Sequence, residues 1–232
     1  MSQTRFIVLE GIDGVGKSTQ VALLKTYLEG LGTPVEHIHF PRLASEPFGL
    51  LIAAFLRGEF GPIDLVDPRL VALLYAEDRH DFAATLRDWI AGNKCIIADR
   101  YVYSNIAFQC AKYTDPEQKQ QLRDWILELE YVYFGIPRPA MSFFLDLNTS
   151  TAAQAMGSDA SRDQRAYLGG AKDIHEEDLD FQERVRLQYL LLTESQADFH
   201  LIPCNDVSGN RLPPGDTHRR LVEYIHPLFT AS

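Results

Sequence analysis

Gly11-Ile12-Asp13-Gly14-Val15-Gly16-Lys17-Ser18 is the stretch on which everything else in this chain is hung. It follows a short apolar run, Phe6 to Glu10, and it leads into Lys17 to Gly32, where apolar residues recur at helical spacing up to a glycine stop. The order is strand, glycine loop, helix. Glycines at 11, 14 and 16 allow positive φ, so that backbone N–H groups turn inward, and the positive end of the following helix aims at the same point. An anion fits there. Val15 and Thr19 flank the bend, Lys17 reaches the β and γ phosphates of a nucleoside triphosphate such as ATP, and the Ser18 hydroxyl suits the accompanying Mg²⁺.

Outward from the loop the pattern alternates. Val35 to Phe40 reads as a second strand ending at Pro41, and Asp67-Pro68 caps a long helix that runs to about Gly92. Lys94 to Ala98 is a strand apolar on both faces. Asp115-Pro116-Glu117-Gln118 repeats the cap, with Gln118 placed to close a capping box, and opens a helix to about Tyr133. Ser142 to Leu147 and Phe199 to Pro203 complete five strands. This predicts one α/β domain over residues 1–232, a three-layer sandwich around a five-stranded parallel sheet of the P-loop NTPase type, with ligands at the carboxyl ends of the strands. Residues 157–180, polar, glycine-containing and densely charged, interrupt the alternation and read as a lid.

Composition narrows the partners. With 22 Lys and Arg against 32 Asp and Glu, the formal charge of −10 disfavours a nucleic-acid duplex or an anionic membrane, which want a basic face. Phosphate binding must then come from a few placed cations. No apolar stretch is long enough for a membrane span and the first residues carry no signal-peptide pattern, so a cytoplasmic location is expected. Cys95, Cys110 and Cys204 are scattered without metal or disulfide spacing and read as inert thiols.

The residues that choose a phosphate acceptor lie elsewhere. Asp13 is a carboxylate inside a phosphate loop, where its charge would repel the ligand. It is expected to turn away and bond a substrate hydroxyl, with a loop-stabilising turn role as the alternative. Phe40-Pro41-Arg42 follows the second strand, and Asp99-Arg100-Tyr101 with Ser104, Asn105 and Phe108 follows the third. Tyr75 and Arg79 are four apart on the long helix, and Asn105 and Phe108 three apart on another, so two aromatic-plus-polar faces could sandwich a flat base. Arg42, Arg79 and Arg100, read as lying at strand or helix ends, could bind a second phosphate.

FIVLEGIDGVGKSTQ, HFPR, YAEDR, DRYVYSNIAF and the KDIHE segment together resemble the thymidylate kinases, from the first strand to about Phe181. The resemblance implies transfer of a phosphoryl group from ATP, with Mg²⁺, to dTMP in a homodimeric enzyme. It implies that Arg42 and Arg100 contact the dTMP phosphate, that Arg79 bonds a thymine carbonyl while Tyr75 stacks on the ring, and that Asn105 reads the other base edge. Phe108 would exclude a ribose hydroxyl, Asp13 would accept from the 3′-hydroxyl, and Ser104 would join the acceptor site. Asp99 would lie near the metal as an outer ligand or as a charge partner of the arginines, the alternative being a carboxylate that only orients Arg100.

Such a reaction needs positioning and charge neutralisation more than acid–base chemistry, because the acceptor phosphate is already ionised. Some thymidylate kinases carry an arginine directly after the loop carboxylate, where this chain has Gly14. The missing cation is therefore expected from Arg162 and Arg165 in the lid, with Lys172 a weaker candidate. Asp173 aligns with a lid carboxylate near the substrate, and His175 stands where other members can have an aromatic.

Overall fold

The computed structural model describes residues 4–62, 65–156 and 178–230. Five strands form one sheet: β1 (Phe6–Glu10), β2 (Val35–His39), β3 (Cys95–Asp99), β4 (Met141–Asp146) and β5 (Phe199–Pro203). Their spatial order is β2-β3-β1-β4-β5 and every pairing is parallel. β1 and β3 are buried along their whole length, which is why their sequences run apolar without alternation. The register sets Leu9 beside Asp99 and Glu10 beside Phe144, so the ends of β1, β3 and β4 lie side by side.

The chain leaves β1 through α1 (Lys17–Gly30) and moves two places along the sheet to β2; every later crossover runs the other way. With right-handed crossovers, reversing direction changes face. Accordingly α1 packs with α8 (Pro214–Ile225) on one side. On the other lie α3 (Pro68–Ala91), α4 (Val102–Cys110) and α7 (Leu179–Ser195), with α5 (Pro116–Glu128) against α4. The reversal happens at β1, and the crevice outside its carboxyl end is where ligands of such sheets bind.

Caps set the long helices. Asp67 accepts from the Arg69 N–H at 2.7 Å at the start of α3, and Asp115 accepts from Glu117 N–H at 3.1 Å at the start of α5, each with proline at the first helical position. α5 does not continue regularly to Tyr133: a single π turn, Leu129–Tyr133, takes over and brings Glu130 inside. α2 (Phe48–Leu56) carries Ile52, Phe55 and Leu56 onto Val71 of α3, a small apolar cluster apart from the main core that Tyr75 also packs against. The three cysteines are free and buried, and burial pushes the thiols of Cys95 and Cys110 up to about 12 and that of Cys204 to about 11, the inertness expected of them.

Candidate active site

The glycine loop has the conformation its sequence requires. Gly11, Gly14 and Gly16 have φ of 146°, 79° and 99°. A Cβ on Gly11 would lie 2.9 Å from the Leu145 carbonyl oxygen and 3.1 Å from Val15 Cγ1, so this position has neither the torsion nor the room for a side chain. Val15 is buried, Ser18 and Thr19 are exposed on the first turn of α1, and Lys17 is folded back with its Nζ donating to the Gly11 and Ile12 carbonyls at 3.0 Å each. Burial, and then the charge of Arg100, lower the Lys17 pKa. An ammonium held by two neutral carbonyls has much to gain from a phosphate. The Arg211 guanidinium closes the loop's other side, donating from Nη2 to Val15 O at 3.1 Å; sequence reading missed it, because it lies 196 positions away.

Across the crevice stands the end of β3. Arg100 has φ 68°, a left-handed conformation uncommon for a residue with a side chain, and such torsions cluster at functional sites. Its Nη2 donates to Asp13 Oδ1 at 2.6 Å, and its Nη1 lies 3.3 and 3.4 Å from the hydroxyls of Ser104 and Tyr189. Asp13 is also 4.0 Å from Lys17 Nζ. Burial would raise the Asp13 pKa, but the two cations, Arg100 foremost, bring it below the ordinary carboxylate value. The sequence left this carboxylate free for a substrate hydroxyl; in the structure its Oδ1 already bridges two cations, so a hydroxyl would share it.

Asp99 Oδ2 is 3.4 Å from His39 Nδ1, and its charge also acts on Arg100. Burial pushes its pKa up, yet the His39 bond and Lys17 bring it down to about 2. Its Oδ1 is buried and has no partner among the described residues. An ionised, unsatisfied oxygen beside a phosphate loop, with the Ser18 hydroxyl exposed nearby in the chain, fits Mg²⁺ or one of its waters, since this ion is usually held by one or two carboxylates and phosphates.

Glu10, which sequence reading passed over, supports this wall. It is fully buried at the end of β1 and accepts from the Tyr101 N–H at 2.9 Å, the Ser104 N–H at 3.2 Å, the Ser104 hydroxyl, and the Tyr189 hydroxyl at 3.4 Å. Burial raises its pKa despite those donors. A carboxylate closing an apolar strand was the available signal, because Glu is almost never fully buried without partners. Ser104, expected in the acceptor site, spends its hydroxyl on Glu10.

The expected acceptor residues divide. Phe40 is core, against Phe82 and Tyr101 at centroid distances of 6.0 and 5.8 Å, so its ring supports the wall of the site and does not line it; Pro41 follows it at the end of β2. Arg42 stays at the crevice edge, its Nε 3.0 Å from Asp78 Oδ1 and its Nη2 2.7 Å from Asp81 Oδ2. Arg79 is at no helix end. It lies midway along α3, 2 % exposed, with Nε and Nη2 donating to the Glu130 carboxylate at 2.5 and 2.6 Å. Burial would lower its pKa, and Glu130 more than reverses that. Among the described residues its printed hydrogen bonds thus go to Glu130 and not to the residues around Arg100. Asn105, 3 % exposed on α4, donates from Nδ2 to Ala72 O and to Glu130 Oε1, both at 3.0 Å, while its Oδ1 is buried without a partner among the described residues. The Phe108 ring lies under the Arg100 guanidinium, 5.0 Å from centroid to Cζ. Arg162, Arg165, Lys172, Asp173 and His175 lie outside the described residues.

The model of the thymidylate kinase family matches residues 9–208. This chain belongs to the thymidylate kinase family. The chain is 35 % identical over 199 residues to the thymidylate kinase of Leifsonia xyli subsp. xyli, covering 85 % of each chain. It is 34 % identical over 230 residues to the probable thymidylate kinase of Thermococcus kodakarensis, covering 97 % of this chain and 98 % of that one. The solved structure of the thymidylate kinase of Candida albicans superposes with a TM-score of 0.70 at 25 % identity, covering 97 % and 92 %. The P-loop fold expected for a thymidylate kinase is thus the fold found, and no helix among the described residues is long and apolar enough to cross a membrane.

Proposed function

We propose that this member of the thymidylate kinase family phosphorylates dTMP to dTDP with ATP and Mg²⁺, acting as a single domain over residues 1–232. The observation that carries the acceptor assignment is the buried, unpaired Oδ1 of Asn105 beside the buried guanidinium of Arg79. Together they offer one acceptor and one donor, the complement of an imide edge with its N–H and C=O. A buried oxygen left unmated costs about 1–3 kcal/mol, which a thymine N–H would relieve.

The donor nucleotide enters at the glycine loop, where Lys17 exchanges its two carbonyl contacts for β and γ phosphate oxygens. Ser18 and the unpaired oxygen of Asp99 are the residues that would hold Mg²⁺ or its waters, and the ion would supply neutralisation of the phosphate charge there. Arg100 and Arg42 take the acceptor phosphate. Arg100 is prepared for this, since its Nη1 makes only two long contacts and Asp13 holds the other arm in place. Phosphates on opposite sides of one crevice are thereby held in line, and holding them is most of the chemistry. Tyr75 and Phe108 supply aromatic surface for base and sugar. A homodimer, from the family resemblance, and a cytoplasmic location, from the sequence, are the expectations that go with this reading.

A steady-state panel of dTMP, dUMP, UMP, AMP and thymidine with ATP and Mg²⁺ tests it. dTMP should give the highest kcat/KM; a clear preference for AMP, UMP or the unphosphorylated nucleoside would overturn the assignment.

A further inference from the structure

Glu130 has so far appeared only as a partner. It is completely buried, it sits in the one π turn among the described residues, and it reaches α3 and α4 at once through Arg79 and Asn105. π turns insert a residue into a helix and so re-aim a side chain, often beside a functional site. Here the flanking Val132 and Tyr133 face solvent while Glu130 faces in.

Its effect on Asn105 follows from donor and acceptor chemistry. The Asn105 side-chain nitrogen touches two groups, the Glu130 carboxylate and the Ala72 carbonyl, each at 3.0 Å. Both are acceptors only, and an amide nitrogen has two hydrogens, so both are used. Flipping the amide would set its oxygen against two acceptors and forfeit both bonds. The oxygen is thus forced to the other side, where it is buried and unpaired. On Arg79 the same carboxylate takes the Nε hydrogen and one of Nη2, leaving both Nη1 hydrogens and the second Nη2 hydrogen to donate elsewhere.

We propose that Glu130 is a positioning residue for base selection: by fixing the amide of Asn105 with its oxygen toward the ligand, it makes the base subsite accept an N–H at pyrimidine N3 and reject a ring nitrogen that is itself an acceptor. Thymine and uracil carry that N–H; cytosine presents a lone pair there, which would meet the Asn105 oxygen head-on. Sites built to hydrogen-bond one substrate discriminate strongly because the wrong one leaves buried groups unmated. The inference rests on the dTMP reading above and adds the group that enforces it.

The test replaces Glu130 by glutamine, which has nearly the same shape but carries an N–H₂ that can face Asn105 and let its amide turn. kcat/KM is measured for dTMP and dCMP in the wild-type enzyme and in E130Q, with E130D as the variant that keeps an acceptor-only group. E130Q should lower the dTMP to dCMP ratio at least about tenfold, the size set by one mismatched buried hydrogen bond, through a higher KM for dTMP and a lower one for dCMP. E130D should keep the wild-type ratio even if both rates drop. An unchanged ratio in E130Q, with both substrates affected alike, would mean that Glu130 only stabilises the fold, and the inference fails while the dTMP assignment stands. A wild-type enzyme with no preference for dTMP over dCMP would instead sink the assignment of the base subsite itself. If E130Q does not fold, the wild-type protein decides by NMR: both Asn105 side-chain amide protons, assigned by their loss in N105S, should exchange slowly with solvent before and after dTMP is added, and fast exchange would overturn the inference.

Discussion

At the scale of single residues, the site is a set of buried charges that hold each other until a ligand arrives. Arg79 and Glu130 are 2 % and 0 % exposed as side chains and bonded at two points. The value of such a pair lies in what happens when one partner is lost, because the survivor is an uncompensated charge in a dry place. Arg79→Met should lower stability by about 3–5 kcal/mol in urea denaturation; a loss below about 1 kcal/mol would show that water reaches Glu130 in the native state. The Arg100–Asp13 pair differs, since the Asp13 side chain is 33 % exposed and Arg100 10 %. It can open toward a phosphate at small cost, as a substrate-exchanging contact should. Arg79 was legible in the sequence as a base-facing candidate, by its spacing from Tyr75. Its partner was not, because no local pattern in LELEYVY marks Glu130 as the residue that turns inward.

At the scale of elements, α3 carries the Ala72 carbonyl, Tyr75, Asp78 and Arg79, which the proposed function places around the acceptor. Its start is fixed by Asp67 and Pro68, and its body is buried along one face from Val71 to Leu86. Asp67→Ala should therefore cost about 1 kcal/mol of global stability, read as a shift in the denaturation midpoint, while kcat for dTMP stays within about twofold of wild type because the cap lies two turns from Tyr75. A large fall in kcat would instead show that the α3 start is coupled to the base wall. The starts of α3 and α5 could be read from their Asp-Pro caps, which act locally. The π turn could not, since it exists to satisfy a contact with another helix.

At the scale of the whole molecule, the sheet brings together segments far apart in sequence at the end of β1: the glycine loop from its own end, Arg100 from β3, and Arg211 from beyond β5. The cations described around the crevice are Lys17, Arg42, Arg100 and Arg211, and position 14, inside the loop, is a glycine at φ 79°. We propose that the lid arginines complete the set. R162A/R165A should reduce kcat by about 10³ or more, the effect of removing a cation from the transferring phosphoryl group, with little change in the KM for dTMP. A double variant with near wild-type kcat would remove the lid from the mechanism and turn attention to Arg211.

What the sequence determined alone was what depends on neighbours along the chain. The strand-loop-helix around Gly11 to Lys17, the capped starts of α3 and α5 and the five strands were readable from local torsion, periodicity and spacing, and the family from the resemblance of its motifs. Only the tertiary structure decided who partners whom: Asp13 with Arg100, Asp99 with His39, Glu10 with Ser104, Phe40 within the core, and Glu130 with both Arg79 and Asn105. The reason is physical. A buried charge is settled by whichever opposite charge or donor the fold brings within about 3 Å, and that depends on how helices cross and not on which residue comes next.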